Sequence, residues 1–240
     1  MSVKIVTTLH KDGYDLYGRN LDSWARYFPA AWKIDYYAES HDPSFPSRIA
    51  VRDFHKECEQ WNDFYEHIAA ITRTLDNNKK INWYKKALRW SFKMFTTLNA
   101  IENSTDRYVV WLDADVIVKH SPNKDWLAEA LQNKCFAGKL EHIKQTPHIE
   151  SGILIFDCEN SEISTVSNWL KQGYVDKEIL NETKPWDGFW LAKLALSKTV
   201  TWNNVNLFSR NSFLEHCVGD NKFTSQYSGR SGRTKNSELI

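Results

Sequence analysis

A chain of 240 residues with 42% hydrophobic and 25% charged side chains can bury a substantial core, and that balance fits neither a disordered nor a fibrous protein. A formal net charge of +1 offers no whole-surface attraction for nucleic acid, so any anion site must be local and no nucleic-acid partner is expected. No apolar run approaches the roughly 18 residues of a membrane span, so no stable membrane insertion is expected either.

In chain order, VKIVTTL near Met1 reads as a first, central strand. Residues 14–28 space Leu16, Leu21, Trp24 and Phe28 as a helix requires, and WKIDYYAES (32–40) returns as a second strand. This βαβ opening implies a parallel sheet covered by helices. The turn-rich SHDPSFPS (40–47) precedes a further strand at RIAVRDF. Two helices follow. The first, 59–75, keeps Trp61, Phe64, Tyr65, Ile68, Ile71 and Leu75 on one face; the second, 82–103, packs through Ala87, Ser91, Met94, Leu98 and Ile101. Beyond the apolar YVVWLDADVIVKH (108–120) come a helix at NKDWLAEALQN and a strand at KCFAGKL. A second very apolar strand, SGILIFDC (151–158), leads to helices near 161–172 and 185–197 and a last strand at TVTWNNV. From His216 onward the composition turns to Gly, Ser, Lys and Arg and reads as a loop or tail.

Eleven tryptophans exceed what a core of this size needs, which leaves two readings: core packing, or exposed flat faces that hold sugar rings or bases. Cys58, Cys135, Cys158 and Cys217 include no C-x-x-C pair, so neither a zinc knuckle nor a dithiol redox motif is present. Without a secretory-type apolar leader, they are expected to be reduced thiols in a cytoplasmic protein.

Asp113 and Asp115 interrupt the apolar run at 108–120, and on a strand residues two apart point the same way. Two carboxylates facing one point repel unless they share a proton or bind a cation, and hard oxygen donors suit Mg²⁺ or Mn²⁺. Such ions keep positions open for phosphate oxygens, which points to a nucleoside diphosphate as the other ligand. The alternative is a strand-end turn with solvated aspartates.

Several motifs, in order, carry a resemblance: the βαβ opening, LDAD near the middle of the chain, ESGILIFD (150–157), PWDGFWL (185–191) and HCVGDNK (216–222). Together they resemble the GT-A-fold nucleotide-sugar glycosyltransferases, in particular the glycogenin-like family 8 and small bacterial or phage-type transferases. Glu150 stands where that family has Asn, and Phe223 follows Lys222 where it often has Pro-Trp. The resemblance implies one α/β domain with a mixed, mostly parallel central sheet flanked by helices. Residues 1–215 would form the catalytic domain, with a donor half to about 118 and an acceptor half from 119; residues 216–240 would close over the diphosphate.

It further implies that Asp113, Asp115 and His216 hold Mn²⁺ or Mg²⁺ and that Lys222 holds the diphosphate. A neutral imidazole can complete a carboxylate site, Gly219 permits close backbone approach to a phosphate, and Lys222 supplies a point charge. Arg230, Arg233 and Lys235 extend that clamp or form a solvated basic tail. Ser151 and Gly152 belong to the motif facing the donor sugar. Lys86, Arg89 and Lys93 form a basic stripe on the helix before the aspartates, and the resemblance puts Arg89 or Lys93 near the donor. Thr7 and Thr8 end the first strand where open α/β sheets bind ligands.

The expected reaction transfers a sugar from a nucleoside diphosphate sugar, UDP-linked by resemblance, to an acceptor hydroxyl, with a glycan acceptor favoured. Inversion would need a carboxylate base, Asp187 first and Glu150 second; retention, which the resemblance slightly favours, would use Asp187 to position the acceptor or stabilise the cationic sugar. Two rivals stand beside it: a haloacid-dehalogenase-like phosphatase with Asp113 as nucleophile, and a non-catalytic module that binds nucleotide sugar or glycan.

Overall fold

The computed structural model describes residues 1–9, 11–39, 44–143, 145–210 and 213–216. In chain order the strands are β1 (Val3–Leu9), β2 (Lys33–Ala38), β3 (Ile49–Asp53), β4 (Tyr108–Leu112), β5 (Val116–Val118), β6 (Phe136–Ile143), β7 (Thr146–Asp157), β8 (Trp202–Asn204) and β9 (Leu214–His216). The α-helices are α1 (Lys11–Tyr27), α2 (Phe54–Glu57), α3 (Gln60–Arg73), α4 (Asn78–Asn103), α5 (Trp126–Leu131), α6 (Ile163–Tyr174), α7 (Asp187–Ser197) and α8 (Leu207–Arg210).

Seven strands form one sheet in the order β3-β2-β1-β4-β7-β6-β8. The first four run parallel, β7 is antiparallel to β4, β6 is antiparallel to β7, and β8 is parallel to β6. Side chains alternate between two apolar layers, as the two-residue strand period demands. On one side Val6, Tyr37, Val109, Trp111, Leu154 and Phe156 pack on α3, α4, α6 and α7 through Phe64, Met94, Leu98, Leu170 and Trp190. On the other, Ile5, Ile34, Tyr36, Val110, Leu112 and Ile155 pack on α1 and α5 through Leu21, Trp24, Trp126 and Leu127. A mixed, mostly parallel sheet with helices on both faces is therefore present.

Two expectations need correction. The apolar run 108–118 is not one strand. It breaks into β4 and β5, and β5 leaves the main sheet to pair antiparallel with β9. Asp113 and Asp115 lie in the turn between them, closed by the Val116 N–H donating to the Asp113 carbonyl at 3.0 Å, so they are not same-side strand neighbours. Second, β7 begins at Thr146, well before the apolar run, because its polar first half pairs with β6 in a hairpin.

The tryptophans serve packing first. Trp24, Trp32, Trp61, Trp111, Trp126 and Trp190 are buried, the other five are half-buried, and none is exposed. No helix of the described residues is long and apolar enough to cross a membrane.

Candidate active site at the carboxyl edge of β4

Four elements converge where β4 ends. Asp113 follows β4, its own N–H donating to the Gly152 carbonyl of β7 at 2.8 Å. Lys93 arrives from the middle of α4 and Asp187 opens α7. The Lys93 ammonium lies 2.9 Å from Asp113 Oδ1 and 3.3 Å from Asp187 Oδ2. It donates to the Ser151 carbonyl at 3.0 Å and to Ser151 Oγ at 3.1 Å, and Ser151 Oγ donates to Asp187 Oδ2 at 2.6 Å. One ammonium thus sits among four oxygens.

The electrostatics follow from burial and pairing. Burial alone would lower the Lys93 pKa, yet the Asp113 and Asp187 carboxylates outweigh it and hold the ammonium charged. Burial, with the Asp115 charge adding, pushes the Asp113 carboxyl above its ordinary value against the pull of Lys93. Trp111 Nε1 donates to Asp113 Oδ1 at 2.6 Å and its ring lies 5.3 Å from the Lys93 ammonium. Asp113 Oδ1 is therefore saturated. Oδ2 makes no hydrogen bond among the described residues, on a side chain 29% exposed.

The turn itself is held from α1. Asn20 Nδ2 donates to the Ala114 carbonyl at 2.9 Å, Trp24 Nε1 to the Val116 carbonyl at 2.8 Å, and the Val118 N–H donates to Ser23 Oγ at 3.0 Å. These fix the backbone on both sides of Asp115. The β5–β9 register places His216 opposite Val116, one residue from Asp115.

Asp113 Oδ2 and the buried Asp115 Oδ1, which accepts no hydrogen bond among the described residues, are hard oxygen donors of the kind a divalent cation takes. Among the described residues, no three His, Cys, Asp or Glu side chains group closely enough to make a ready-built metal cage.

Of the expected residues, Asp113, Lys93, Ser151, Gly152 and Asp187 come together. Glu150 stands at their margin, its Oε1 accepting from the Gly152 N–H at 3.0 Å. Arg89 is exposed on α4 and does not join them. Gly219, Lys222, Arg230, Arg233 and Lys235 lie outside the described residues. Thr7 and Thr8 end β1 on the carboxyl side, Thr7 fully buried with no partner for its hydroxyl among the described residues. Thr8 Oγ1 donates to the Tyr37 carbonyl at 2.7 Å and lies 3.3 Å from Glu39 Oε1.

Sequence reasoning missed Trp111, the α1 clamp and Glu39. Trp111 could have been found, since it precedes Asp113 by two residues; the other two are linked to the site only by the fold.

Glu39 gives a pH prediction. Burial pushes its carboxyl up to about 8, against a smaller opposing pull from the Thr8 hydrogen bond. Between the ordinary value of 4.5 and about 8 the folded chain keeps a proton that the unfolded chain releases, so stability falls as pH rises through that window. Glu39→Gln removes this loss. Thermal unfolding should give similar midpoints for variant and parent near pH 4.5 and a higher midpoint for the variant at pH 8; a gap independent of pH would refute the assignment.

The comparisons with known proteins bear on the fold. Mouse Xyloside xylosyltransferase 1, in its apo form, superposes with a TM-score of 0.52 at 8% identity, covering 86% of this chain and 86% of that one. The mannosyltransferase Ktr4p from S. cerevisiae gives a TM-score of 0.52 at 9% identity over 89% of this chain and 70% of its own. The chain has a GT-A-like glycosyltransferase fold. No protein-family model matches the sequence, and no curated protein does. Within this GT-A-like fold the Lys93 cluster lies at the carboxyl end of the parallel strands, the edge where open α/β sheets bind ligands.

Proposed function

We propose that this chain is a metal-dependent glycosyltransferase that moves a sugar from a nucleoside diphosphate sugar, with UDP as the favoured nucleotide, to a hydroxyl of a glycan acceptor. The observation that carries the reading is the pairing of a saturated Asp113 Oδ1 with a free Oδ2 beside Asp115. A carboxylate held rigidly on one oxygen and open on the other is built to meet a cation. Asp113, Asp115 and His216 would hold Mn²⁺ or Mg²⁺, which neutralises charge developing on a leaving diphosphate.

The chain's own residues do the rest. Lys93 pairs with Asp113 and Asp187 and orients both in a largely dry site, where fixed charges act more strongly than in water. Asp187 is 4% exposed, and its Oδ2 already accepts from Lys93 and Ser151. A general base needs a free lone pair within reach of the proton it takes. Asp187 Oδ1 accepts no hydrogen bond among the described residues, so this oxygen would orient sugar hydroxyls in the favoured retaining transfer and would be the one to take a proton in an inverting one. Thr7 and Thr8 end β1 at the edge that would take the nucleoside, and Lys222 with Gly219 would meet the diphosphate.

Calorimetric titration of UDP with and without Mn²⁺, repeated on Asp115→Ala, tests the reading. UDP should bind only with the metal, and the variant should lose at least tenfold in affinity. Metal-independent or absent binding sinks the site; metal-dependent binding without hydrolysis or transfer from UDP-sugars makes the chain a nucleotide-sugar binding module.

A further inference from the structure

The helix that carries Lys93 has a second feature that the transfer chemistry does not use. From Asn78 to Ala100, α4 contains six cations, Lys79, Lys80, Lys85, Lys86, Arg89 and Lys93, and no acid. Two of them, Lys79 and Lys80, occupy the first turn, where the helix dipole disfavours positive charge. Lys79, Lys80, Lys86 and Arg89 are exposed, and none forms an ion pair among the described residues. Folding gains nothing from this placement, so a ligand is the better reason for it.

The order along the helix identifies the ligand. Lys79, Trp83, Lys86, Trp90 and Lys93 recur at i, i+4, i+7, i+11 and i+14, which puts them on one face, cation and indole in alternation. The face spans about 21 Å and ends at the ammonium that binds Asp113 and Asp187. Trp186, the residue before Asp187, meets Trp90 edge-to-face at 5.9 Å, and the Lys184 ammonium lies 5.4 Å from the Trp186 ring. Trp83 Nε1 donates to the Thr183 carbonyl at 3.3 Å, tying the same loop to the helix. Trp83, Trp90 and Trp186 are half-buried, recessed between the exposed cations, and the exposed large hydrophobics among the described residues, Met1, Val51 and Leu196, lie elsewhere. A bilayer is met by protruding apolar side chains. Recessed indoles between protruding cations suit sugar rings that carry negative groups.

We propose that this face of α4 is the acceptor groove and that the acceptor is an acidic oligosaccharide with a negative group on alternate sugars. The exposed lysines of this face, Lys79 and Lys86, are seven residues or about 10 Å apart, close to the length of one disaccharide. The proposal rests on the transferase reading for the word acceptor; the groove itself does not.

The test titrates hyaluronan hexasaccharide, which carries a carboxylate on every second sugar, into the full chain without nucleotide or metal, beside neutral chitohexaose, polyglutamate and phosphatidylglycerol vesicles. Hyaluronan should bind at least tenfold more tightly than chitohexaose and polyglutamate, weaken with salt, and lose at least tenfold on the surface double substitution Lys79→Glu with Lys86→Glu, whose fold is checked by its thermal midpoint. Trp83→Ala should lower affinity without changing the salt dependence. Equal binding of polyglutamate means charge alone, and vesicle binding without saccharide binding means a membrane surface; either overturns the proposal. Hyaluronan binding as expected in a chain that fails to bind UDP would leave the groove standing and remove the transferase reading, whereas UDP binding without hyaluronan binding would remove only the groove.

Discussion

Lys93→Met is expected to cost about 3–5 kcal/mol of stability and to abolish turnover together. The substitution leaves Asp113 and Asp187 facing one another without a counter-charge, and breaking a buried ion cluster from one side costs that much. The Lys93 side chain is 12% exposed and that of Asp187 5%, so water restores little of the lost solvation. Denaturant unfolding should show the loss as a lower midpoint with an unchanged slope. Lys93→Arg keeps the charge but brings a planar fork to a site shaped for a compact ammonium, so most of the stability should return while activity recovers only in part. A Lys93→Met protein as stable as the parent would show that the ion pairs of Lys93 contribute nothing to folding, and the electrostatic account of the site would fail.

Gly188→Ala carries the second large effect, and it reaches the chemistry through the backbone. A Cβ on Gly188 would run into the Ile149 carbonyl oxygen of β7, a main-chain atom that cannot swing aside. The first turn of α7 must then lift from the sheet, and Asp187 lifts with it. Overpacking of this kind costs about 1–3 kcal/mol. A shift of roughly 1 Å in a positioned group can lower turnover about a hundredfold. Gly173→Ala is the matched control, because its Cβ would meet the Trp190 indole between α6 and α7 and not the backbone that carries Asp187. Gly173→Ala should lower the thermal midpoint but leave kcat of the folded fraction near the parent value. Equal kcat losses in both variants would show that the effect is general loosening and not displacement of Asp187.

Much of the architecture is written locally. The short runs at 3–9, 33–38 and 108–112 are strands whose side chains are buried on both faces, and the helical spacing of Phe64 and Ile68, or of Met94 and Leu98, matches the layer those helices cover. Asp113, Lys93, Ser151 and Asp187 were each picked out by residue type and motif. Their mutual geometry was not, since they are far apart in sequence and no periodicity relates a mid-helix lysine to the first residue of another helix.

The sequence by itself determined the alternation of elements, the apolar layers and the acidic interruption after β4, because burial and backbone period act over a few neighbouring residues. Only the tertiary structure decided that the run at 108–118 breaks into a turn, since that depends on Asn20, Ser23 and Trp24 of α1 bonding the backbone around Asp115 and on β9 taking β5 as its partner. It also decided that Lys93 and not Arg89 reaches the aspartates. Both lie on the basic face of α4, but only Lys93 stands at the height where β4 ends and α7 begins, and an ammonium is retained in a buried place only where carboxylates already wait.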